Sequence, residues 1–165
     1  MGNIRLRPLR RADDVAVWGV FQACTDYSAL EKGRPPKPED VDAFFSDRPP
    51  GVAEENAHKL GVYDRGKLIG LVDLIDGYPG EADWYVGLLM LVPDARGRGV
   101  GRTALEQIIA RACEVGGARL LLCVLEENTR GQAFWARAGF MFLRRTDPVE
   151  IGKKLHVKIE LARDL

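Results

Sequence analysis

The chain has 165 residues, 46% of them hydrophobic and 29% charged, with 24 Lys plus Arg balanced by 24 Asp plus Glu. That length suits one domain around one core, so residues 1–165 are read as a single domain. A formal net charge of zero argues against wrapping nucleic acid or resting on an anionic membrane, so any anion site must be local.

Ile4 and Leu6 alternate with Arg5 and Arg7, which predicts a short strand stopped by Pro8. Val17, Val20, Phe21 and Cys24 recur at helical spacing, predicting a helix from about Ala12 to Ala23. Glu31 to Pro38 is rich in turn residues, and Pro38 suits the first position of a short helix through Phe45. Pro49-Pro50-Gly51 breaks the chain again. The stretch from Tyr27 to Pro50 is the least regular and is the candidate substrate-facing loop. It carries Glu31, Lys32, Arg34, Lys37, Glu39 and Asp40, with no dominant sign.

Strands follow over His58–Tyr63 and Lys67–Asp76, joined by the hairpin signal Asp64-Arg65-Gly66. Trp84–Val92 is almost wholly apolar and reads as a strand buried on both faces. A helix spans about Gly99–Val115, with a stripe of Ala104, Leu105, Ile108, Ile109, Ala112 and Cys113. Arg119–Leu125 is another buried strand. A helix over Thr129–Ala138 ends at Gly139. Two closing strands are Phe140–Arg145 and Leu155–Leu161. In the last, Leu155, Val157, Ile159 and Leu161 are expected on one face and His156, Lys158 and Glu160 on the other. The order implies a mixed-sheet α/β domain with a strand–helix–strand crossover from Trp84 to Leu125.

Cys24, Cys113 and Cys123 are an odd number at wide spacing, which excludes a disulfide framework and suits a reducing cytoplasm. His58 and His156 lack metal-ligand spacing, so no metal is expected. No apolar run reaches the ~20 residues that span a bilayer, and the first residues hold no apolar signal core.

The chemistry concentrates in Arg96-Gly97-Arg98-Gly99-Val100-Gly101, between a buried strand and an amphipathic helix. Glycines let the backbone approach a ligand, and the first amides of a helix lack internal partners and favour negative charge. Arg96, Arg98 and Arg102 surround the same turn, so the segment describes a pyrophosphate cradle. The plainer reading is a solvated charge cluster on a Gly-rich loop. A nucleotide P-loop is rejected, because Arg102-Thr103 follows Gly101 where Lys then Ser or Thr is needed. Gly99-Val100-Gly101-Arg102-Thr103-Ala104 also fits the dinucleotide pattern G-x-G-x-x-A, but Pro93–Arg98 separates it from the strand. The chain after Glu126 is too short for a six-stranded doubly wound sheet.

Leu91 to Gly101, with Arg96, Gly99 and Gly101 in the places of Q/R-x-x-G-x-G/A, resembles the signature of the GNAT superfamily of acyl-CoA-dependent N-acetyltransferases. Asn128, Ala133-Phe134-Trp135 and Ala138-Gly139-Phe140 resemble its second motif, N-x(4)-A-F-[aromatic]-x(3)-G-F. The strong match covers about 84–140. The resemblance implies an α/β (α+β) fold: a mixed, mostly antiparallel sheet of six to seven strands, about four helices, and a central strand pair splayed by a bulge. It implies acetyl-CoA as cosubstrate and an amine acceptor. The amides from Arg98 to Thr103, including Gly99, Val100, Gly101 and Arg102, would hold the pyrophosphate, with Gly97 in the turn and Arg96 bracing it. The backbone of Leu89, Met90 and Leu91 would pair with the pantetheine arm like an added strand. The Leu89 amide would stabilise the oxyanion, and Asn128 falls at a cofactor-contacting position.

Many members of that family carry a tyrosine where this chain has Trp135. An indole N–H donates a hydrogen bond but does not transfer a proton, so Trp135 either packs on the pantetheine or fills the core. The general base is left to Tyr85, which stands where some members carry glutamate, to Asp73, or to water; Asp76 is read as a turn residue or a further alternative. Cys123 reads as a small apolar filler. Tyr27, Trp84 and Tyr78 either line the acceptor cleft or pack. Homodimers are common in that family, so a homodimer is one assembly the resemblance allows. A module that binds acyl-CoA without turnover, and a nucleotide-dependent enzyme, are the competing functional readings.

Overall fold

The computed structural model describes residues 2–165. Strand β1 (Ile4–Pro8) leads into three helices, α1 (Asp14–Ala23), α2 (Thr25–Lys32) and α3 (Pro38–Ser46). An antiparallel meander follows, β2 (Ala57–Asp64), β3 (Lys67–Asp76) and β4 (Asp83–Leu91). Helix α4 (Val100–Glu114) crosses to β5 (Arg119–Leu125), and α5 (Thr129–Arg137) leads to β6 (Met141–Arg145). A small hairpin, β7 (Val149–Ile151) and β8 (Lys154–His156), precedes the last strand, β9 (Lys158–Asp164).

The main sheet has seven strands in the order β1-β2-β3-β4-β5-β9-β6. Among the described residues, β4–β5 is its one parallel pair, as a strand–helix–strand crossover requires. Strand alternation gives the sheet two apolar faces. Val72, Leu74, Trp84, Val86, Leu120 and Leu122 pack beneath the α4 residues Ala104, Leu105, Ile108 and Ala112, with Trp135 and Phe140 alongside. Leu71 and Met90 face the other way, against Val17, Val20, Val41 and Phe44 of α1 and α3.

The sheet and its open central pair match the sequence-based expectation, with one helix more. Helix α2 falls where no helix is expected, because Thr25–Lys32 has almost no apolar periodicity and buries only Ser28. It is held locally instead. Tyr27 Oη donates to Glu31 Oε2 at 2.8 Å, and Gly33, left-handed at φ 66°, caps the helix with N–H to the Ala29 carbonyl at 3.0 Å.

The expected strand Leu155–Leu161 is in fact broken. Its first part joins the β7–β8 hairpin, and only the part from Lys158 joins the main sheet. Leu155 is therefore 62% exposed and His156 buried, the reverse of the expected alternation, whereas Ile159 and Leu161 enter the core as expected. The break comes at Val157, whose carbonyl accepts from the Glu126 amide at 2.9 Å. The hairpin then reaches across to the end of α2. His156 Nε2 lies 2.7 Å from the Glu31 carbonyl, and the Lys153 amide donates to the Lys32 carbonyl at 2.9 Å. Those are last-turn carbonyls that a helix leaves without internal partners.

Candidate active site

The site begins as a defect in β4. Asp73 pairs with Leu88 and Leu74 pairs with Val86, so Gly87 is an extra, unpaired residue between them. Before this bulge β4 runs in register with β5, from Asp83 opposite Arg119 to Val86 opposite Leu122. Beyond it that pairing stops, while β5 stays paired with β9 to Leu125. The two central strands therefore part at Gly87. A lone glycine in an apolar run is the sequence signal of such a bulge, and reading Trp84–Val92 as one continuous strand passes over it.

The gap exposes selected backbone groups. The Val92 amide donates to the Ile69 carbonyl of the neighbouring chain segment at 2.9 Å. Antiparallel ladders alternate, so Met90 and Leu88 direct their amides to β3, whereas Leu89 and Leu91 direct theirs toward the gap. Of the three residues expected to pair with an extended arm, Leu89 and Leu91 present backbone there, and Met90 contributes a buried side chain on the opposite face.

At the mouth of the gap lies the start of α4. Gly97 and Gly99 are left-handed at φ 69° and 79°, a conformation that other residues adopt at a cost. Gly99 is the N-cap, and no side chain caps the helix. The first amide bonded within the helix is that of Thr103, to the Gly99 carbonyl at 3.0 Å, so the amides of Val100, Gly101 and Arg102 have no partner there. Space around Gly97 and Gly99 is open: a Cβ added at either would meet no atom within 4 Å. Arg98 and Arg102 flank the turn at the surface; the Arg102 side chain is 82% exposed and paired only with Glu106. These residues fit a diphosphate.

Arg96 is occupied as a brace. Its Nε donates to the Leu91 carbonyl at 2.9 Å and its guanidinium grips both carboxylate oxygens of Asp26. It thus ties the end of β4 to the first turn of α2. Asn128 caps α5, its Oδ1 accepting from the Gly131 amide at 2.9 Å. Trp135 is buried edge-to-face between Phe134 and Phe140, with ring centroids 4.8 and 5.0 Å away, which is the core-filling alternative. Its neighbour Phe134 reaches α4 instead, 3.2 Å from where a Gly101 Cβ would be.

On the face of the sheet opposite α4, a cavity of about 190 Å³ lies over the bulge, floored by Gly87, Leu88 and Met90. Tyr27 and Asp73, far apart in sequence, both line it. A Cβ at Gly87 would stand 2.7 Å from Asp73 Oδ2, so this carboxylate sits directly on the bulge. Burial pushes the Asp73 carboxyl up, and its 2.9 Å ion pair with Lys59 only partly offsets this. Tyr85 shares that face beside Cys123 and packs edge-to-face on Tyr78, ring centroids 5.5 Å apart. Burial, then the Cys123 neighbour, drives its phenol far above the usual value, so Tyr85 stays protonated and is no base at neutral pH.

Trp84 is not brought to this cavity. It is buried at the other end of β4, stacked on His58 at 5.8 Å and close against Gly117. Asp76 is there too, 2.6 Å from His58 Nε2. Lys59 and Asp26, which the structure adds to the site, carry no sequence signal because their partners, Asp73 and Arg96, are distant along the chain, whereas Glu31 was already among the charges of the candidate substrate-facing stretch. Among the described residues no group of three His, Cys, Asp or Glu side chains is placed to hold a metal, and no helix is long and apolar enough to cross a membrane.

A parallel strand pair that opens beside an uncapped helix start offers free backbone groups along an extended groove. The sequence profile of the acetyltransferase (GNAT) family matches residues 21–140, and the chain belongs to that family. Uncharacterized N-acetyltransferases of Mycobacterium bovis and Mycobacterium tuberculosis are 32% identical over 75 residues, 46% of this chain and 47% of theirs. The chain thus matches about half the length of those curated relatives. The crystal structure of an acetyltransferase from Thermus thermophilus superposes with a TM-score of 0.80 at 26% identity, covering 98% of this chain and 97% of that one. An N-acetyltransferase from Staphylococcus aureus shares the fold, with a TM-score of 0.72 at 14% identity and 98% of each chain covered.

Proposed function

We propose that this protein transfers an acetyl group from acetyl-CoA to a primary amine by direct attack within a ternary complex. The observation that carries the reading is the gap beyond Gly87, into which Leu89 and Leu91 turn their backbone groups beside the uncapped start of α4. The free amides at the start of α4, those of Val100, Gly101 and Arg102, with Arg98 and Arg102, hold the diphosphate; the Thr103 amide, expected to join them, is spent on the Gly99 carbonyl. Leu89 and Leu91 align the pantetheine arm, and the Leu89 N–H donates to the thioester oxygen as negative charge develops on it. The amine enters from the cavity on the other face. Its nitrogen lone pair attacks the carbonyl carbon, and the C–S bond breaks. The amine proton passes to Asp73, directly or through one water, and the sulfur departs as thiolate, tolerable for a thiol of pKa near ~8.5. A carboxylate raised by burial is a better proton acceptor than an ordinary one. Tyr85, held neutral, can orient a water but not take the proton.

The reading extends to a cytoplasmic location, consistent with three free cysteines, and to a homodimer, consistent with exposed Met141, Phe142 and Leu143 on edge strand β6. Light scattering tests the assembly. A second reading, an acyl-CoA-binding module without turnover, is favoured by one observation: Trp135 is locked in the core and supplies no acid. Calorimetric titration with acetyl-CoA, followed by thiol release across an amine panel, separates them. Binding with release supports transfer, binding without release supports the module, and no binding at millimolar acetyl-CoA rejects both.

A further inference from the structure

The cavity over the bulge carries more than a place for an amine. Four carboxylates line it, Glu31, Asp40, Asp47 and Asp73, against one ammonium, Lys32. The loop that supplies several of these residues has no dominant sign in sequence, but the ion pairs sort it. Lys32 and Arg34 both close on Asp40, at 2.6 and 2.8 Å. Lys59 is held by Asp73 at 2.9 Å and by the Asp47 carbonyl at 2.8 Å. Every cation at the cavity is thereby committed to a partner in the protein. Among the described residues two lining carboxylates, Glu31 and Asp47, have no cationic partner, and Glu31 accepts from the Tyr27 hydroxyl, a neutral donor. Phe21, Tyr27 and Phe44 supply aromatic walls.

We infer that the acceptor is a small diamine, its reacting nitrogen beside Asp73 and its second ammonium held by the Glu31 carboxylate. The claim rests on the acetyl-transfer reading and narrows it to a substrate class. A charge-assisted hydrogen bond to Glu31, which the Tyr27 hydroxyl already holds in place, gives that carboxylate the cation it lacks. Aromatic walls accept both methylenes and an ammonium. An acceptor with a carboxylate next to its amine, such as an α-amino acid, finds no uncommitted cation here and meets Glu31 and Asp47 instead. The position of Glu31 is itself enforced: the Glu31 and Lys32 carbonyls receive His156 and the Lys153 amide from the β7–β8 hairpin, which fixes the last turn of α2 above the cavity.

The test compares 1,4-diaminobutane, butylamine and alanine as acceptors at saturating acetyl-CoA, in the native protein and in Glu31→Gln. Gln preserves the hydrogen bond to Tyr27 and removes the charge. The native protein should prefer the diamine over the monoamine in kcat/KM by about tenfold, the scale of one charge-assisted hydrogen bond, with alanine the poorest acceptor. Glu31→Gln should erase most of that ratio. Alanine outperforming the diamine, or a ratio that Glu31→Gln leaves intact, overturns the inference while acetyl transfer stands. If no amine turns over, calorimetry of 1,4-diaminobutane into the CoA-saturated protein decides: binding weakened about tenfold by Glu31→Gln supports the subsite, and no binding overturns it. Failure to bind acetyl-CoA at all would instead sink the reading on which this one rests.

Discussion

At its first residues β4 is stitched to β5. Asp83 meets Arg119 with two hydrogen bonds at 2.9 and 3.0 Å, Trp84 lies buried under His58, and Gly117 leaves just enough room for the indole. A few residues later the same strand has parted from β5, and its backbone groups face a gap beside the bare amides of α4. One extra residue, Gly87, separates the two behaviours. The first end is held by side-chain burial and ion pairing and should answer to stability. The second is built from unpaired backbone and should answer to ligand binding.

The sharpest way to break this contrast is at the open end. Arg98→Glu with Gly99→Asp reverses one charge and offers a carboxylate to the uncapped amides, which an Asx residue in the left-handed region can reach. Acetyl-CoA affinity should fall by at least about a thousandfold, roughly 4 kcal/mol, while Tm falls by only about 2–4 °C for the strain of a side chain at the left-handed position 99, as calorimetry and thermal melts would report. The converse belongs to the closed end. Trp84→Ala should cost about 3–5 kcal/mol in urea unfolding while acetyl-CoA affinity changes less than about threefold. If Trp84→Ala weakened binding as strongly as it weakened folding, the division between the ends would be lost.

Asp73→Asn sharpens the contrast at the bulge. It should lower kcat/KM about a hundredfold with little change in acetyl-CoA affinity. Asp73 must be deprotonated to act, and its value is raised, so native activity should fall with decreasing pH from above the ordinary carboxylate value of about 4. The variant should lose that limb of the profile. A smaller effect concerns α2 and α3. Burial raises Asp40, but hydrogen bonds from Arg34, Lys32 and the Lys37 amide outweigh it and hold the carboxyl well below its ordinary range. A depressed acid stabilises the folded state fully above its unfolded value, about 4, and loses that contribution as pH falls toward the lower folded value. Asp40→Asn should therefore cost about 2 kcal/mol at pH 7 and flatten the acid limb of the stability profile, as denaturant melts across pH would show.

The glycine-rich turn before α4 was nearly all legible. Glycines that must turn left-handed, arginines around them, and a strand before and helix after are local facts, and the main strands followed from periodicity. The cavity over the bulge was not. Asp73 was visible as one polar residue in an apolar strand, but its place on the bulge required the β3–β4 register. Helix α2 lacked an apolar stripe, and its end is fixed by a hairpin more than a hundred residues away in the chain. Trp84 and Trp135 looked equally suited to a cleft and to a core, because an aromatic side chain is the same object in either.

By itself, the sequence determined what depends on near neighbours along the chain: the main strands and most helices, the glycine-rich turn, and the family to which they belong. Only the tertiary structure decided which charges cancel, which amides are left over, and which carboxylate lies on the bulge. Those outcomes depend on which distant groups meet, and hydrogen-bond and ion-pair partners act over a few ångströms in space whatever their separation in the chain.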